Sequence, residues 1–300
     1  MVQNPISSLS TNRRYLSACI VGATILLVIT ALRVSSDDDP AVLKSSTRWN
    51  SAAIPDEPGH AMSSTHRGKK DDRPTFADLA ANSGTDKVTT HNYGLLYDKH
   101  LPAFRDLPVK ILEIGLGCGL PYAPGASYDT WIQYFANLEL NIIEQDQACG
   151  KVWATQNPKA KVFFGDPASA EFLHDTGDKI TSDRLLDIVI DDGGHTMTQQ
   201  EVSLKELWKY VRPGGIYIAE DLHTSFLSSH DGDPTRLNTT RRTFMRFVYE
   251  LMDDYISVPA LPNELQLQTS GQKYTFSHEV SSIECMEAMC VFMKKDVGAR

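Results

Sequence analysis

The stretch ILEIGLGCG at residues 111–119 decides the fold of this chain. Its apolar residues predict a buried strand. The strand runs through Glu113 into glycines at three alternate positions, Gly115, Gly117 and Gly119. Glycine allows a sharp turn with positive φ and lets bare backbone approach a ligand closely. The stretch therefore predicts a strand that leads into a nucleotide-binding turn.

The spacing of these glycines separates two classes of cofactor. Dinucleotide-binding folds carry GxGxxG at the corresponding turn. This chain has ExGxGxG, which is more typical of proteins that bind S-adenosylmethionine. The Glu113 carboxylate can accept a hydrogen bond from the cofactor's ammonium group, directly or through water. A tight strand-to-helix turn without a ligand is the alternative reading.

Five apolar segments predict the parallel strands of one sheet, because amphipathic helical segments separate them. These segments are VKILEI (109–114), ELNIIE (139–144), AKVFFG (160–165), LLDIVID (185–191) and GIYIAE (215–220). Two further segments, ELQLQTS (264–270) and YTFSHEVSSIECMEAMCVFMKK (274–295), predict antiparallel strands. The expected fold is α/β, a Rossmann-like, doubly wound, mostly parallel seven-stranded sheet with an antiparallel C-terminal edge.

The regions before this domain predict a membrane anchor. Residues 1–14 are expected to be an N-terminal tail, and residues 15–34 contain an uncharged run long enough, at about 1.5 Å per residue, for one transmembrane helix. A cleaved signal peptide is the alternative. Residues 35–75 predict a flexible stem, and residues 76–300 the globular domain. This order favours a single-pass type II protein of the endoplasmic reticulum or Golgi, with a cytosol-facing domain as the alternative.

The charge of the globular part argues against nucleic acid as a partner. Residues 76–300 contain 20 Lys and Arg against 31 Asp and Glu, a formal charge of −11. Nonspecific nucleic-acid binding needs a basic surface that meets phosphates. A small molecule or a sugar is therefore the more suitable substrate.

Cys285 and Cys290 flank a predicted two-residue hairpin turn in ECMEAMC (284–290). They would face each other across two strands, either as a disulfide or as two small apolar residues. Cys118 lies in the glycine turn, and Cys149 is isolated in the sequence.

Acidic residues follow most of the predicted parallel strands, where an open α/β sheet binds its ligands. Glu144 ends the second strand, and a carboxylate there can accept bonds from both ribose hydroxyls. Asp166 follows the third strand within GDP. It could receive the adenine amino group, or it could form an ordinary surface turn.

Paired acids end the next two strands. The fourth strand ends in IDDGGHT, with Asp191 and Asp192, and the fifth ends in AEDLHT, with Glu220 and Asp221. Several negative charges in one cleft are costly unless a cation compensates them. Oxygen ligands favour magnesium, manganese or calcium over zinc. The alternative is that one acid of each pair caps the following helix and the others are solvated.

His195 lies three residues after Asp192, in a glycine turn that would direct its ring into the same cleft. The near-neutral pKa of a histidine suits a general base. A structural role is the alternative for a single histidine at a strand end. His223 is the second candidate base.

Four motifs together resemble the class I S-adenosylmethionine-dependent methyltransferases. They are LEIGLGCG (112–119), NIIEQD (141–146), DIVIDDGGHT (187–196) and PGGIYIAEDLHTS (213–225). Within that class, the chain is similar to magnesium-dependent sugar O-methyltransferases of macrolide biosynthesis and to the related cephalosporin hydroxylase-like proteins. The similarity includes SGTDKVTTHNYGLLYDKHL (83–101), which resembles the segment that helps close that family's cofactor site.

The resemblance implies roles for individual residues. Asp192 and Asp221 would hold the metal, with Glu220 as a third acid, and His195 would take the proton from the substrate hydroxyl. The implied cofactor set is Glu113, Gly115, Gly117, Gly119, Glu144, Asp166 and Asp191. The chain departs from the family pattern in the long loop LPYAPGAS (120–127) and at Pro167, where a polar residue is expected.

The expected function is transfer of a methyl group from S-adenosylmethionine to a hydroxyl of a sugar or small metabolite, assisted by a divalent metal with magnesium first. Two rival functions stay open. A type II membrane-anchored glycosyltransferase would share the anchor, the stem and the acid pair. A non-catalytic S-adenosylmethionine-binding scaffold would share the fold alone. Assembly into a homo-oligomer is also left open.

Overall fold

One seven-stranded sheet organises the residues that the computed structural model describes, which are 71–257 and 273–296. The strands are β1 (Pro108–Ile114), β2 (Asn137–Glu144), β3 (Ala160–Phe164), β4 (Leu186–Asp191), β5 (Val211–Ala219), β6 (Val280–Met286) and β7 (Met289–Lys294). Their order is β3-β2-β1-β4-β5-β7-β6. β1 to β5 are parallel, and β7 pairs antiparallel with β5 and β6. The predicted mixed α/β sheet with an antiparallel edge is confirmed.

Helices cover both faces of this sheet. They are α1 (Phe76–Ala80), α2 (Gly94–His100), α3 (Ala126–Tyr134), α4 (Gln147–Gln156), α5 (Ala170–Ile180), α6 (Met197–Leu207) and α7 (Phe244–Ser257). Alternate residues of a strand point to opposite faces. Ile111 accordingly packs with Trp131 of α3 in one buried cluster, while Leu112 packs with Leu204 of α6 in the other. The fold is doubly wound, as predicted.

The register of the parallel strands places the acidic motifs side by side. Ile114 of β1 pairs with Asp191 of β4, and Asp191 pairs with Ala219 of β5. The strand ends are therefore level, and the residues that follow them are neighbours. Strand order also reverses between β1 and β4, which is the point where open α/β sheets bind ligands.

β5 begins earlier than its sequence pattern indicates. RPGG at 212–215 has the composition of a turn, so the predicted strand started at residue 215. In the structure, Val211 already pairs with Leu186, and the next pair is Ile216 with Ile188. Four residues of β5 therefore lie opposite one residue of β4, so the pairing register shifts at this point while β5 continues as one strand.

Two disulfides link the described cysteines. Cys285 and Cys290 lie opposite each other in β6 and β7 and are bonded, which decides between the two readings of that pair. Cys118 is bonded to Cys149 at a separation of 31 residues. This second bond was not predicted. It joins the turn after β1 to the start of α4, and these segments are close because β1 and β2 are adjacent.

The predicted N-terminal regions lie outside the described residues. This holds for the tail at 1–14, the transmembrane helix at 15–34 and the stem up to residue 70, and also for the predicted strand at 264–270. Within residues 71–257 and 273–296, the structure contains no helix with the length and apolar character needed to cross a membrane.

Candidate active site

A cavity of about 420 Å³ opens at the carboxyl ends of β1, β2 and β4. Both parts of the predicted site contribute to its wall. The wall includes Gly115, Leu116, Gly117, Cys118, Glu144, Gln145, Asp192, Gly193, Gly194, His195, Asp221 and His230. The glycine turn and the acidic strand ends therefore face one continuous space.

The glycine turn has the backbone conformation that its sequence predicts. Gly115, Gly117 and Gly119 have φ values of 99°, 83° and 84°. A Cβ atom on Gly115 would lie 2.0 Å from the carbonyl oxygen of Asp192, so only glycine fits at that position. Gly115 thus permits the close approach between the glycine turn and the acidic end of β4.

Glu144 is held at the cavity wall by backbone groups. Its Oε2 accepts a hydrogen bond from the Leu116 amide at 3.1 Å, and its Oε1 accepts one from the Asp146 amide at 2.7 Å. Asp146 in turn caps α4 by accepting bonds from the amides of residues 148 and 149. Each carboxylate oxygen has a second lone pair, which leaves Glu144 able to accept bonds from a ligand.

Glu113 is buried in β1, just before the glycine turn, and does not line the cavity that the described residues form. Its Oε2 accepts a hydrogen bond from Nε1 of Trp131 at 3.1 Å. Its Oε1 is buried and makes no hydrogen bond of good geometry within residues 71–257 and 273–296, although the Ser127 hydroxyl is near enough to the carboxylate to lower its pKa. Burial raises the pKa of Glu113 to about 7. A buried acceptor without a partner is costly to the fold, and its retention is consistent with a ligand that supplies the missing donor.

Asp166 and Asp191 make their observed hydrogen bonds to protein groups. Asp166 accepts a bond from the Ala168 amide at 2.9 Å, as in an ordinary turn, and a longer one from Gln199. Asp191 is buried and accepts a bond from the Tyr217 hydroxyl at 2.7 Å. Burial raises the pKa of Asp191 to about 7. The cofactor roles of these two acids, and that of Gly119, stay predictions.

The two departures from the family pattern both contribute to the cavity wall. The loop at 120–127 supplies Leu120, Tyr122 and Ser127, and Pro167 also lines the cavity. The loop folds back over the glycine turn, because the amide of Gly125 donates to the Leu116 carbonyl at 2.8 Å. The longer loop thus forms part of the cavity.

Asp192, His195 and Asp221 converge on one point. Each offers a ligand atom, and these atoms all lie within 4.8 Å of one another. The Nε2 atom of His195 lies 3.2 Å from Oδ2 of Asp221 and 3.7 Å from Oδ1 of Asp192. Two carboxylates and one imidazole are a donor set that suits a divalent cation. We call these three residues the acid–histidine cluster.

Backbone strain accompanies this convergence. His195 and Asp221 both have a φ of 55°, a region that non-glycine residues rarely adopt and that costs about 1–3 kcal/mol per residue. The position of His195 is secured by the following helix, because Thr196 and Gln199 form a capping box at the start of α6. Strain that neighbouring structure maintains is typical of functional sites.

His195 is placed to act as a base. Burial lowers its pKa, although the adjacent Asp192 and Asp221 oppose that effect. The imidazole is therefore neutral at neutral pH and can accept a proton. Its Nδ1 is buried without a hydrogen-bond partner among the described residues. His223, the second candidate, is half exposed, with Nδ1 4.0 Å from Oδ1 of Asp221.

The segment at 83–101 contributes contacts to the acids that sequence reasoning missed. The Lys87 ammonium is buried and donates to Oδ2 of Asp192 at 2.5 Å and to Oε2 of Glu220 at 2.7 Å. Burial alone would lower the pKa of Lys87, but Asp192 and Glu220 outweigh it and raise that pKa well above its usual value. The crowded acids predicted a compensating cation, and the Lys87 ammonium supplies part of that positive charge.

Two tyrosines of the same segment complete these contacts. The Tyr93 hydroxyl donates to Oδ1 of Asp221 at 2.6 Å, and the Tyr97 hydroxyl donates to Glu220. Glu220 is consequently directed at Lys87 and Tyr97, away from the acid–histidine cluster. The role of Glu220 as a third metal ligand stays a prediction.

Comparison with known proteins places these motifs in context, although no family model matches the chain. An 8-demethyl-8-alpha-L-rhamnosyl tetracenomycin-C 2'-O-methyltransferase of Streptomyces olivaceus is 32% identical over 184 residues, which cover 61% of this chain and 46% of that protein. The mycinamicin VI 2''-O-methyltransferase of Micromonospora griseorubida is 27% identical over 198 residues, which cover 64% and 47%. The chain spans about half the length of the curated relatives it matches.

A solved structure shares the fold. The MycE methyltransferase of the mycinamycin pathway, in complex with Mg, SAH and mycinamycin VI, superposes with a TM-score of 0.62 at 23% identity, over 75% of this chain and 56% of that one. The comparisons confirm the predicted resemblance to sugar O-methyltransferases. The names of these proteins also agree with the predicted enzyme class, cofactor and metal.

The comparisons correct the predicted location. The matched relatives are proteins of Streptomyces and Micromonospora, which are bacteria and have no endoplasmic reticulum or Golgi. The prediction of a type II protein of the secretory pathway is therefore wrong. It rested on a general preference for short cytosolic tails and on an apolar run at residues 15–34, which lies outside the described residues.

Proposed function

We propose that this chain is an S-adenosylmethionine-dependent O-methyltransferase that acts on a sugar hydroxyl with the help of a divalent metal, magnesium being the expected ion. The single observation that carries the proposal is the shared cavity. It brings the glycine turn and Glu144 into the same space as the acid–histidine cluster. Methyl transfer needs the methyl donor and the activated hydroxyl to be neighbours.

The proposed cofactor site uses backbone and carboxylate groups. Gly115 and Gly117 present bare backbone to the cofactor, and Glu144 accepts bonds from the ribose hydroxyls. Glu113 is buried and does not line the cavity, so its Oε1 would receive the ammonium group through water. We retain Gly119, Asp166 and Asp191 in the proposed set as residues that shape the turns around it. S-adenosylmethionine, when bound, supplies the methyl group for an in-line displacement.

The residues of the acid–histidine cluster fit a divalent metal, because the donor atoms of two carboxylates converge beside an imidazole. Asp192 and Asp221 would hold the ion. A bound divalent metal supplies Lewis acidity that lowers the pKa of the substrate hydroxyl. Glu220 is kept as a candidate third acid, although its carboxylate bonds to Lys87 and Tyr97.

His195 would remove the proton from the substrate hydroxyl at Nε2, because its Nδ1 is buried. Its lowered pKa keeps the imidazole neutral and ready to accept a proton at neutral pH. After proton transfer, the imidazolium would be stabilised by Asp221 at 3.2 Å and by Asp192 at 3.7 Å. No covalent intermediate with the protein is required.

Calorimetry separates this function from a glycosyltransferase. We expect the protein to bind S-adenosylhomocysteine at one site and to give no heat with a UDP-sugar. Binding of the UDP-sugar without S-adenosylhomocysteine would overturn the proposal. Methyl transfer to rhamnosyl-bearing acceptors, measured with Mg²⁺ and with excess EDTA, then separates an enzyme from a scaffold that only binds the cofactor.

A further inference from the structure

The Lys87 ammonium lies at the centre of a buried chain of polar contacts. It donates to Asp192 at 2.5 Å and to Glu220 at 2.7 Å, and Glu220 also accepts a bond from Tyr97. Both Lys87 and Glu220 have side chains that are only 1% exposed. Neither group can therefore exchange its partner for bulk water without moving.

The two oxygens of Asp192 face different neighbours. Oδ2 accepts the bond from Lys87, and Oδ1 lies 3.7 Å from Nε2 of His195 within the acid–histidine cluster. A carboxylate can rotate about its bond to Cβ, and a short bond to one oxygen removes that freedom. Glu220, which also accepts a bond from Tyr97, holds the ammonium from the other side, so the orientation of Asp192 is tied to the residue after β5 and, through it, to α2.

We propose that Lys87 is a positioning residue for the metal site: its ammonium fixes the Asp192 carboxylate so that Oδ1 is presented to the acid–histidine cluster. The inference rests on the metal role proposed above for Asp192 and Asp221. Hydrogen bonds to a ligating carboxylate orient it, and their loss commonly costs about 10- to 100-fold in metal affinity.

A purely electrostatic role for Lys87 predicts the opposite change in metal affinity when the lysine is replaced. A positive charge next to a cation site repels the cation, so its removal would tighten metal binding. A purely structural role would lower the melting temperature and leave the metal affinity of the folded protein unchanged. The direction of the change in affinity therefore separates the three roles.

The experiment measures Mn²⁺ binding to the full chain by electron paramagnetic resonance, without cofactor or substrate. We expect Lys87→Met, which keeps the length of the side chain, to weaken Mn²⁺ binding by about 10- to 100-fold. The matched control is Lys110→Met. Lys110 is also fully buried and donates to the Ile180 carbonyl at 2.9 Å and to Asp183, but it lies near the start of β1, away from the carboxyl strand ends.

A second variant keeps the test decisive if Lys87→Met does not fold. Lys87→Gln retains a hydrogen-bond donor without the charge, and we expect it to weaken Mn²⁺ binding less than Lys87→Met does. If the Lys87 variant that folds binds Mn²⁺ as tightly as the wild-type protein or more tightly, the positioning role of Lys87 is overturned and the proposed metal site is not. An equal loss of Mn²⁺ affinity in Lys110→Met has the same consequence. Absence of Mn²⁺ binding by the wild-type protein would overturn the proposed metal site and this role with it.

Discussion

The Nε2 atom of His195 lies 3.2 Å from Oδ2 of Asp221, and both residues have the same strained φ of 55°. They follow different strands, β4 and β5, whose ends are level in the sheet. The proposed base and a proposed metal ligand are therefore fixed relative to each other by backbone on both sides. This geometry allows the two roles to be tested separately.

Replacement of His195 should abolish most of the turnover without disturbing the fold. His195→Asn is the suitable variant, because asparagine tolerates a positive φ better than alanine does. Loss of a general base typically lowers kcat by about 100- to 10,000-fold, and we expect a fall in that range with unchanged affinity for S-adenosylhomocysteine. His223→Ala is the matched control. A normal rate for His195→Asn together with a large loss for His223→Ala would transfer the role to His223.

Alanine at Gly115 should disable the site, and alanine at Gly119 should weaken it much less. A Cβ at Gly115 would meet the Asp192 carbonyl oxygen at 2.0 Å, so Gly115→Ala must displace the end of β4. At Gly119 a Cβ would meet no described atom within 4 Å, and the cost is that of the positive φ, about 1–2 kcal/mol. Calorimetry with S-adenosylhomocysteine should show binding lost in the first variant and retained in the second. Equal affinities would contradict the close approach of turn and strand.

Glu113 should link pH to stability in the absence of cofactor. Burial raises its pKa from 4.5 to about 7, so the unfolded chain loses the proton before the folded one. Stability conferred by the protonated carboxyl is complete below pH 4.5 and falls as the pH rises to about 7. Glu113→Gln should remove this part of the pH dependence and raise the melting temperature at pH 7, while weakening cofactor binding. Chemical denaturation between pH 4.5 and pH 7 measures the pH dependence of the free energy of unfolding. The same pH dependence in Glu113→Gln as in the wild-type protein would refute the role of Glu113.

The Cys118–Cys149 bond should stabilise both the fold and the cofactor site. From the chain-entropy model, a loop of 31 residues contributes about 4 kcal/mol and a loop of 5 residues about 2 kcal/mol. Cys118 also lines the cavity. The double variant with serine at 118 and 149 should therefore lower the melting temperature and weaken S-adenosylhomocysteine binding. Serine at both 285 and 290 should lower only the melting temperature. If both double variants affect S-adenosylhomocysteine binding equally, Cys118 has no specific role at the cofactor site.

Features that depend on local sequence could be predicted. The strands appear as apolar runs, and the acids after them are near one another because parallel strands end at the same edge of the sheet. On this basis the sequence predicts one cleft for Asp192, His195 and Asp221, and the structure brings these residues together. The positive φ of the three turn glycines also follows from the residue type.

Contacts between distant segments could not be predicted in this way. Lys87 is 105 residues from Asp192 in sequence, and a lysine in a polar segment is ordinarily solvated, so nothing local indicates burial. Cys118 and Cys149 have no diagnostic spacing, and their pairing depends on the adjacency of β1 and β2. Glu220 is a second example. Its position beside Asp221 suggests a metal ligand, but its carboxylate accepts hydrogen bonds from Lys87 and Tyr97.

The central claim is that the methyl donor and the metal occupy one cavity side by side. It is tested most directly by NMR of S-adenosylmethionine carrying a ¹³C-labelled methyl group, bound to the protein with Mn²⁺. The account predicts strong paramagnetic broadening of the methyl signal in the wild-type protein, and loss of that broadening in Asp192→Asn with the cofactor still bound. A sharp methyl signal from wild-type protein that holds both cofactor and Mn²⁺ would contradict the claim.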